Sequence, residues 1–71
     1  MKRITQERVA RGWTKTELGR RARLHPARVG AIENGRVVPY EVELRRLNRA
    51  LHLQTEPASL LGEIEDGANV A

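Results

Sequence analysis

Residues 13–36 constrain the fold of this chain most, because they carry the start and stop signals of two short helices. Thr14 is a residue type that caps helix N-termini, and Glu17 three positions later completes the sequence pattern of a capping box. Pro26 suits the first turn of a second helix, and Gly35 suits its left-handed end. The segment therefore predicts two helices joined by a tight turn.

Both predicted helices have only a narrow apolar face. Leu18 and Ala22 lie four residues apart in the first helix, and Val29 and Ile32 lie three apart in the second, with Leu24 in the turn. Two helices with so few apolar residues would not fold alone, so other parts of the chain must cover them. Two short helices with a tight turn, the second presented outward, form a helix-turn-helix unit, which points to DNA.

The whole chain is predicted to be all-α. Five helices are expected at about 4–11, 15–23, 26–34, 41–52 and 56–64, within one domain over residues 1–66. The remaining inward positions are predicted to be Ile4, Val9, Leu44, Leu47, Leu51, Leu60 and Ile64. Residues 67–71 have nothing to bury and are predicted to be disordered.

The composition excludes several classes of protein. A chain of 71 residues forms one domain that buries about 60% of its unfolded surface, which leaves no room for a deep substrate cavity in the core. Cysteine is absent, so neither disulfides nor a thiolate metal site are expected. Because there is no recognisable signal peptide and no apolar run near the roughly 20 residues of a membrane span, we expect a cytoplasmic protein without membrane contact.

The charges are unevenly distributed along the chain. All 13 lysines and arginines lie between Lys2 and Arg49, whereas four of the nine acidic residues follow position 52. Residues 1–52, with 13 basic and five acidic residues, carry a formal charge of +8, and residues 53–71 carry −4, which together give the net +4. A basic body with an acidic tail is typical of a phosphate-binding surface, although arginine is also common in solvated helices.

These features together resemble the phage repressor and Cro family of helix-turn-helix domains, the lambda-repressor-like fold of the XRE type. The resemblance covers most of residues 4–61 and rests on Arg8, Gly12, Trp13, Thr14, Glu17, Leu18, Ala22, Leu24, Val29, Ile32, Glu33, Gly35, Pro39 and the leucines of residues 44–51. It implies a compact bundle of five helices with the third as recognition helix in the major groove. It also implies transcriptional repression, usually by a dimer on a partly palindromic operator.

The outward face of residues 26–34 is the predicted base-reading surface. Because the apolar residues of this helix point inward, Ala27 and Ala31 point outward, where they can offer only methyl contact, for instance to thymine. Arg28 is the one long donor there that can bind guanine O6 and N7, whereas Asn34 is better placed for backbone contact or capping. We favour a deep-lying helix with specificity from Arg28 and DNA shape; the alternative is a surface that reads little sequence.

Three further residues are predicted to contact the DNA backbone. Lys15 opens the preceding helix at a position where the resembled family often has a phosphate-binding glutamine, and its charge adds to the helix dipole. His25 takes the cap position of the next helix, and either its ring donates to phosphate or it is a partly exposed turn residue. Arg36 matches a position where the family keeps a basic residue for phosphate; otherwise it is a solvated loop charge.

Other residues are assigned to structure. In the resembled family, the pair that corresponds to Arg8 and Glu33 is a partly buried salt bridge between the first helix and the end of the third. Glu33 lies next to the apolar stripe of its helix, where an acid needs a partner. Trp13 is expected to fill the space between helices, and Tyr40 either packs at the start of the fourth helix or reaches a phosphate.

An enzyme is not expected, and no catalytic, metal or cofactor site is predicted. The chain has no cysteine nucleophile, no glycine-rich phosphate loop and no HExxH pattern. The two histidines, His25 and His52, have no companion ligands at metal spacing. The sequence is interpreted as a DNA-binding regulator of bacterial or phage origin; the alternative is a protein-interaction module on the same fold, such as an antitoxin.

Double-stranded DNA is the predicted partner, and no small-molecule ligand is expected. The apolar residues Leu60, Leu61 and Ile64 give the last helix more apolar surface than it needs to cover the core. We therefore predict a weak homodimer through the C-terminal helix, with Leu61 at its margin. The alternative is a monomer whose leucines all complete its own core.

Overall fold

The computed structural model describes residues 1–64. Within this range four α-helices are followed by one 3-10 helix; they are α1 Arg3–Ala10, α2 Lys15–Ala22, α3 Pro26–Glu33, α4 Glu41–Ala50 and the 3-10 helix Pro57–Leu61. These residues contain no strand, only an isolated antiparallel bridge between Lys2 and Glu63. The all-α fold class is therefore confirmed for the described part of the chain, whereas the predicted tail at 67–71 lies outside it.

The predicted fifth α-helix over residues 56–64 is wrong in type and length. The chain forms a 3-10 helix of five residues that begins at Pro57, and Gly62 then adopts an extended conformation with φ −68° and ψ 147°. The backbone beyond the helix pairs with the start of the chain instead. Arg3 N–H donates to Gly62 O at 2.9 Å and Ile64 N–H donates to Met1 O at 2.7 Å.

One hydrophobic core joins all five elements. Its buried residues are Ile4, Leu18, Ala22, Val29, Ile32, Leu44, Leu47, Leu51 and Leu60. Trp13 and Leu61 are among the partly buried side chains packed against this core, as is Leu24 in the turn. Val9 was predicted to point inward but is 55% exposed, because five residues after Ile4 correspond to a rotation of about 140° around α1.

The turn between α2 and α3 requires a glycine inside α2. Arg23 ends α2 in the left-handed conformation, with φ 60°, and Leu24 N–H donates to Gly19 O at 2.8 Å. A Cβ atom on Gly19 would lie 2.4 Å from Leu24 O. The sequence therefore needs its smallest residue at position 19 to bring the turn, and with it the start of α3, close to α2.

The predicted helix signals are only partly realised. Thr14 Oγ1 accepts from Glu17 N–H at 3.0 Å, as the capping-box pattern predicts. The Glu17 carboxylate does not reach back to Thr14; it accepts from Arg20 and Arg21, both at 2.6 Å. Gly35 follows α3 with φ +80°, which is the predicted left-handed stop. In residues 1–64, no helix has the length and apolar character that a membrane span requires.

Candidate nucleic-acid interface

The surface of α3 that faces away from the core consists of small residues. Val29 and Ile32 are fully buried, Ala27 is exposed, and Gly30 and Ala31 are half-buried. At Ala27 and Ala31 the helix has no long side chain of its own that would keep its backbone away from a groove of DNA. Any longer contact with a base or a phosphate has to come from side chains at the edges of this surface.

Lys15 lies at one edge of the α3 surface. A Cβ atom on Gly30 would lie 3.7 Å from Lys15 Cδ and 3.8 Å from its Nζ, so the lysine side chain runs across α3 at this glycine. Lys15 is exposed and has no ion pair within residues 1–64. The first residue of α2 thus brings an uncompensated positive charge to α3.

His25 is the N-cap of α3. Its Nδ1 accepts a hydrogen bond from Ala27 N–H at 3.0 Å. An accepting Nδ1 carries no proton, so the neutral ring has its proton on Nε2, as assigned from this hydrogen bond. His25 is exposed, so it both caps α3 and has an outward N–H that can donate.

Asn34 and Arg36 lie at the other end of α3. Asn34 Oδ1 accepts from Arg36 N–H at 2.9 Å, so the amide caps the loop that follows the helix. The Arg36 side chain is exposed and, within residues 1–64, has no ion pair. Of these two residues, Arg36 has the side chain with free charged donors.

Arg28 is held by α4, which the sequence did not suggest. Its Nε donates to Glu43 Oε2 at 2.9 Å, and its Nη2 donates to Glu43 Oε1 at 2.8 Å. Glu43 Oε1 also accepts from Tyr40 N–H at 2.8 Å at the start of α4. The Arg28 Cζ atom lies 5.7 Å from the centroid of the Tyr40 ring. Arg28 is therefore fixed in one orientation between α3 and α4.

The electrostatics of this contact favour the charged forms of both groups. The hydrogen-bonded Arg28 guanidinium lowers the pKa of the Glu43 carboxyl below its ordinary value, against the opposing effect of burial. The Glu43 carboxylate in turn raises the pKa of Arg28. Bidentate pairs of this kind are among the stronger polar contacts in proteins, because two charge-assisted hydrogen bonds form in a fixed geometry.

The Glu43 contact leaves part of the Arg28 guanidinium available. A guanidinium has five N–H donors, and this carboxylate uses the Nε–H and one hydrogen of Nη2. The end edge, formed by Nη1 and the second hydrogen of Nη2, can still donate two parallel hydrogen bonds. Arg28 can therefore bind Glu43 and a second bidentate acceptor at the same time.

The predicted ion pair between Arg8 and Glu33 is present in the structure. Arg8 Nε donates to Glu33 Oε2 at 2.8 Å and its Nη2 donates to Oε1 at 3.1 Å, while its Nη1 donates to Trp13 O at 2.9 Å. The two side chains are 13% and 6% exposed. The last residue of α3 is thus tied to α1 and to the loop before α2, which fixes the direction of the helix.

The residues that were predicted to contact DNA all lie on or around α3. Within the protein, however, they contact different groups. His25, Ala27, Arg28 and Ala31 belong to α3 or its cap, Lys15 crosses it, and Asn34 and Arg36 follow it. The contact of Glu43 with Arg28 was not predicted, because the sequence shows Glu43 only as an acidic residue in the first turn of α4. The packing of Lys15 on Gly30 was not predicted either, because neither contact has a local spacing pattern.

Comparison with known protein families matches residues 2–61 to a family of helix-turn-helix domains. The match spans all four α-helices and the 3-10 helix. Comparison with curated proteins and with solved structures gave no match. The family match agrees with the sequence features that resemble XRE and Cro-like domains.

Proposed function

Because the chain belongs to the helix-turn-helix domain family, whose membership indicates a DNA-binding regulator, we propose that it is a sequence-specific transcriptional repressor of the Cro-like type. In this proposal α3 lies in the major groove of DNA. The observation that carries it is the state of Arg28, which is fixed by Glu43 while the end edge of its guanidinium has no hydrogen-bond partner within residues 1–64. Arg28 belongs to the helix whose outward positions carry small residues.

Arg28 is the proposed base-reading residue. Its free edge has the two parallel donors that guanine O6 and N7 require. Glu43 orients this edge and thereby reduces the conformational freedom that the arginine loses on binding. Ala27 and Ala31 are proposed to allow close approach and to contact thymine methyl groups, so that DNA shape adds to the specificity.

The remaining contacts are proposed to go to phosphates. Lys15 and Arg36 are supported by their exposed charges, which form no ion pair within residues 1–64. Lys15 lies across α3 at Gly30, and Arg36 follows the C-terminal end of α3. His25 is supported by its outward Nε2–H beside the N-terminus of α3, where the helix dipole also favours an anion. Asn34 is proposed to contribute to phosphate binding indirectly, because its side chain caps the loop that carries Arg36.

A homodimer is proposed for operator binding, since a single domain of this size reads only a few base pairs. Leu60 is fully buried, whereas Leu61 is half-buried at the surface beside it, which leaves an apolar margin on the 3-10 helix. A twofold contact there would set two copies of α3 about one DNA turn apart.

Selection of bound duplexes from a random pool tests the proposed function directly. We expect wild-type protein to enrich a partly palindromic site that contains guanine at the position read by Arg28. The Arg28→Ala variant should retain DNA binding but lose the preference at that position. DNA binding without any enrichment would contradict a sequence-specific repressor.

A protein-interaction module is the second candidate function. It is favoured by the exposed apolar side chains before and at the start of α4, namely Val38, Tyr40 and Val42, which are 86%, 72% and 53% exposed. Such side chains suit a protein partner better than a phosphate surface. If the protein does not bind duplex DNA even at low salt, this candidate is favoured over the repressor.

A further inference from the structure

Apart from the surface of α3, the structure has a concave surface between the C-terminal halves of α2 and α4. It has a volume of about 470 Å³ and is lined mainly by arginines, which are Arg21, Arg23, Arg46 and Arg49, together with His52. We call it the arginine cleft. No carboxylate and no residue of α3 is among its lining residues in the described part of the chain.

The charges of the arginine cleft are largely uncompensated. Within residues 1–64 no ion pair forms at Arg23, Arg46 or Arg49. Three other arginines on the same two helices do pair with a glutamate, namely Arg20, Arg21 and Arg45. Arg45, next to Arg46 in the chain, pairs with Glu41 at 2.8 Å. Four guanidinium groups around one concavity repel one another unless an anion lies among them.

The shape of the cleft leaves room for such an anion. Its other lining residues, Ala22 and Ala50, have the smallest side chains that a helix interior commonly uses. Arg21 is held at one side, because its Nε donates to Glu17 and its Cζ lies 4.2 Å from the Trp13 ring centroid. The cleft thus has two small lining residues that leave space for a ligand, and at least one guanidinium in a fixed orientation.

Helix dipoles explain only part of this charge cluster. Arg23 and Arg49 lie at or near the C-terminal ends of α2 and α4, where positive charge is favourable. Arg46 lies in the middle of α4, where the dipole contributes little, and its charge acts on Glu43 three residues earlier. Neither effect requires Arg46 to lie beside Arg49 and the arginines of α2.

The cleft also differs in position from the proposed DNA-reading surface. Gly19 is the α2 residue that approaches the turn into α3, and Lys15 lies across α3. Arg21 follows Gly19 by two residues, which corresponds to a rotation of about 200° around the helix. Arg21 thus lies on the flank of α2 that faces away from α3, whereas Arg23 adjoins the turn between the two helices.

We propose that the arginine cleft binds a compact anion with two or more adjacent phosphate groups. Arginine forks bind phosphate through paired hydrogen bonds, and adjacent phosphates supply enough charge to satisfy several arginines at once. The volume lies in the range of small-ligand sites, while two alanines offer no pocket for the apolar anchors of an acidic peptide. The same chemistry could come from a nucleic-acid backbone, but the concave shape favours a free oligophosphate, as does the lining, to which no described residue of α3 contributes.

Titration of the full chain with inorganic tripolyphosphate tests this assignment. Trp13 is the only tryptophan, and the ring contacts Arg21, so its fluorescence should change as the guanidinium moves to the anion. At constant ionic strength we expect a saturable one-to-one isotherm, confirmed by calorimetry. Sulfate at the same ionic strength should not saturate, because it offers a single tetrahedral group. A tripolyphosphate signal that does not saturate would overturn the proposal.

The chain offers a matched control for the variants. Arg46→Ala and Arg49→Ala should each weaken tripolyphosphate binding about tenfold, the usual effect of removing one charge-assisted contact. Arg45→Ala removes the same charge from the same helix but outside the cleft, and should leave the affinity within twofold. All three side chains are exposed, so the variants should fold. Equal losses in all three would indicate a diffuse charge effect and overturn the proposal.

Duplex DNA distinguishes the two sources of phosphate. If the cleft serves a free anion, Arg46→Ala and Arg49→Ala should change duplex affinity no more than Arg45→Ala does. Larger losses of duplex affinity at positions 46 and 49, with displacement of tripolyphosphate by DNA, would overturn the assignment to a free anion and make the cleft a nucleic-acid contact. This outcome does not depend on whether α3 reads sequence.

Discussion

At the scale of single residues, Arg28 shows how one side chain can serve both packing and recognition. Its guanidinium holds α3 to α4 through Glu43 and lies over the Tyr40 ring, yet two of its donors point along a free edge. An arginine that is fixed before binding loses less conformational entropy when it meets a base. In the proposed function Glu43 is a positioning residue, which acts on DNA only through Arg28.

Substitution of Arg28 and Glu43 tests this interpretation. Arg28→Ala should lose about 1–3 kcal/mol on the preferred duplex, with relaxed preference at one position. Glu43→Gln removes a negative charge, so simple electrostatics predicts tighter binding to every duplex. If Glu43 positions Arg28, the variant should bind the preferred duplex more weakly and random duplexes as well as or better than wild type.

Lys15→Ala is the matched control for these two variants. It should weaken preferred and random duplexes by the same factor and make the dependence of affinity on salt shallower by about one unit. Competition assays with labelled duplexes measure all three variants. Equal losses from Arg28→Ala on preferred and random duplexes would mean that Arg28 contacts phosphate alone.

At the scale of elements, the orientation of α3 depends on close approaches and on one buried ion pair. Gly19 lets the α2–α3 turn come within van der Waals distance of α2, and the Arg8–Glu33 pair ties the other end of α3 to α1. Both ends of α3 are thus set by contacts that are distant from its exposed face.

Two glycine-to-alanine substitutions distinguish a steric requirement for glycine from the effect of alanine on helix propensity. Gly19→Ala would bring a Cβ to 2.4 Å from a backbone oxygen of the turn, so it should destabilise the fold by about 1–3 kcal/mol. Gly30→Ala meets only the end of the Lys15 side chain, at 3.7 Å or more, and should stabilise α3 by about 0.5–1 kcal/mol. Urea unfolding measures both, and a similar midpoint for the two variants would contradict the turn geometry.

At the scale of the whole molecule, the fold depends on carboxylates that are paired with basic groups. Arginine hydrogen bonds lower the pKa of Glu7, Glu17 and Glu43, and the N-terminal amine lowers that of Glu63. A carboxyl whose folded pKa lies below its unfolded value, about 4.3 for glutamate, contributes stability that is fully present above the unfolded pKa. That stability is lost as pH falls through the folded pKa.

Acid should therefore destabilise the fold. The urea midpoint of the wild type is expected to fall when the pH is lowered from 6 to 3. Glu43→Gln should be less stable than wild type at pH 7, and the difference should vanish as the pH falls below the folded pKa of Glu43, because the protonated carboxyl resembles the amide. Glu41→Gln is the control: its pair with Arg45 is well exposed, so the change should be small at every pH.

Association with DNA should depend on salt and on the number of copies bound. If a monomer neutralises about 4–6 phosphates, its affinity should fall with log salt at a slope of about −4 to −5, and at about twice that slope for a dimer. Sedimentation of wild type and Leu61→Glu, free and with operator DNA, tests the dimer. If both proteins stay monomeric and bind DNA one-to-one with equal affinity, the proposed dimer contact is wrong.

Features set by neighbouring residues could be predicted from the sequence alone. The Thr14 cap depends on a hydrogen bond over three residues, Pro26 in the first turn of α3 on the fixed φ of proline, and the left-handed Gly35 on the absence of a Cβ. All three are present. The spacing of the leucines in α4 likewise predicted its buried face. Val9 was misjudged because apolar character alone does not tell which side of a short helix the core covers.

The tertiary structure alone decided the contacts that couple distant parts of the chain. Residues 56–64 form a 3-10 helix and an extended end because the first three residues of the chain offer backbone partners there. Arg28 meets Glu43, and Lys15 meets Gly30, because the packing of the core sets the relative rotation of α2, α3 and α4. The apolar spacing of a longer helix such as α4 indicates which face is buried. The rotation of one helix against another depends on the shapes of all the side chains between them.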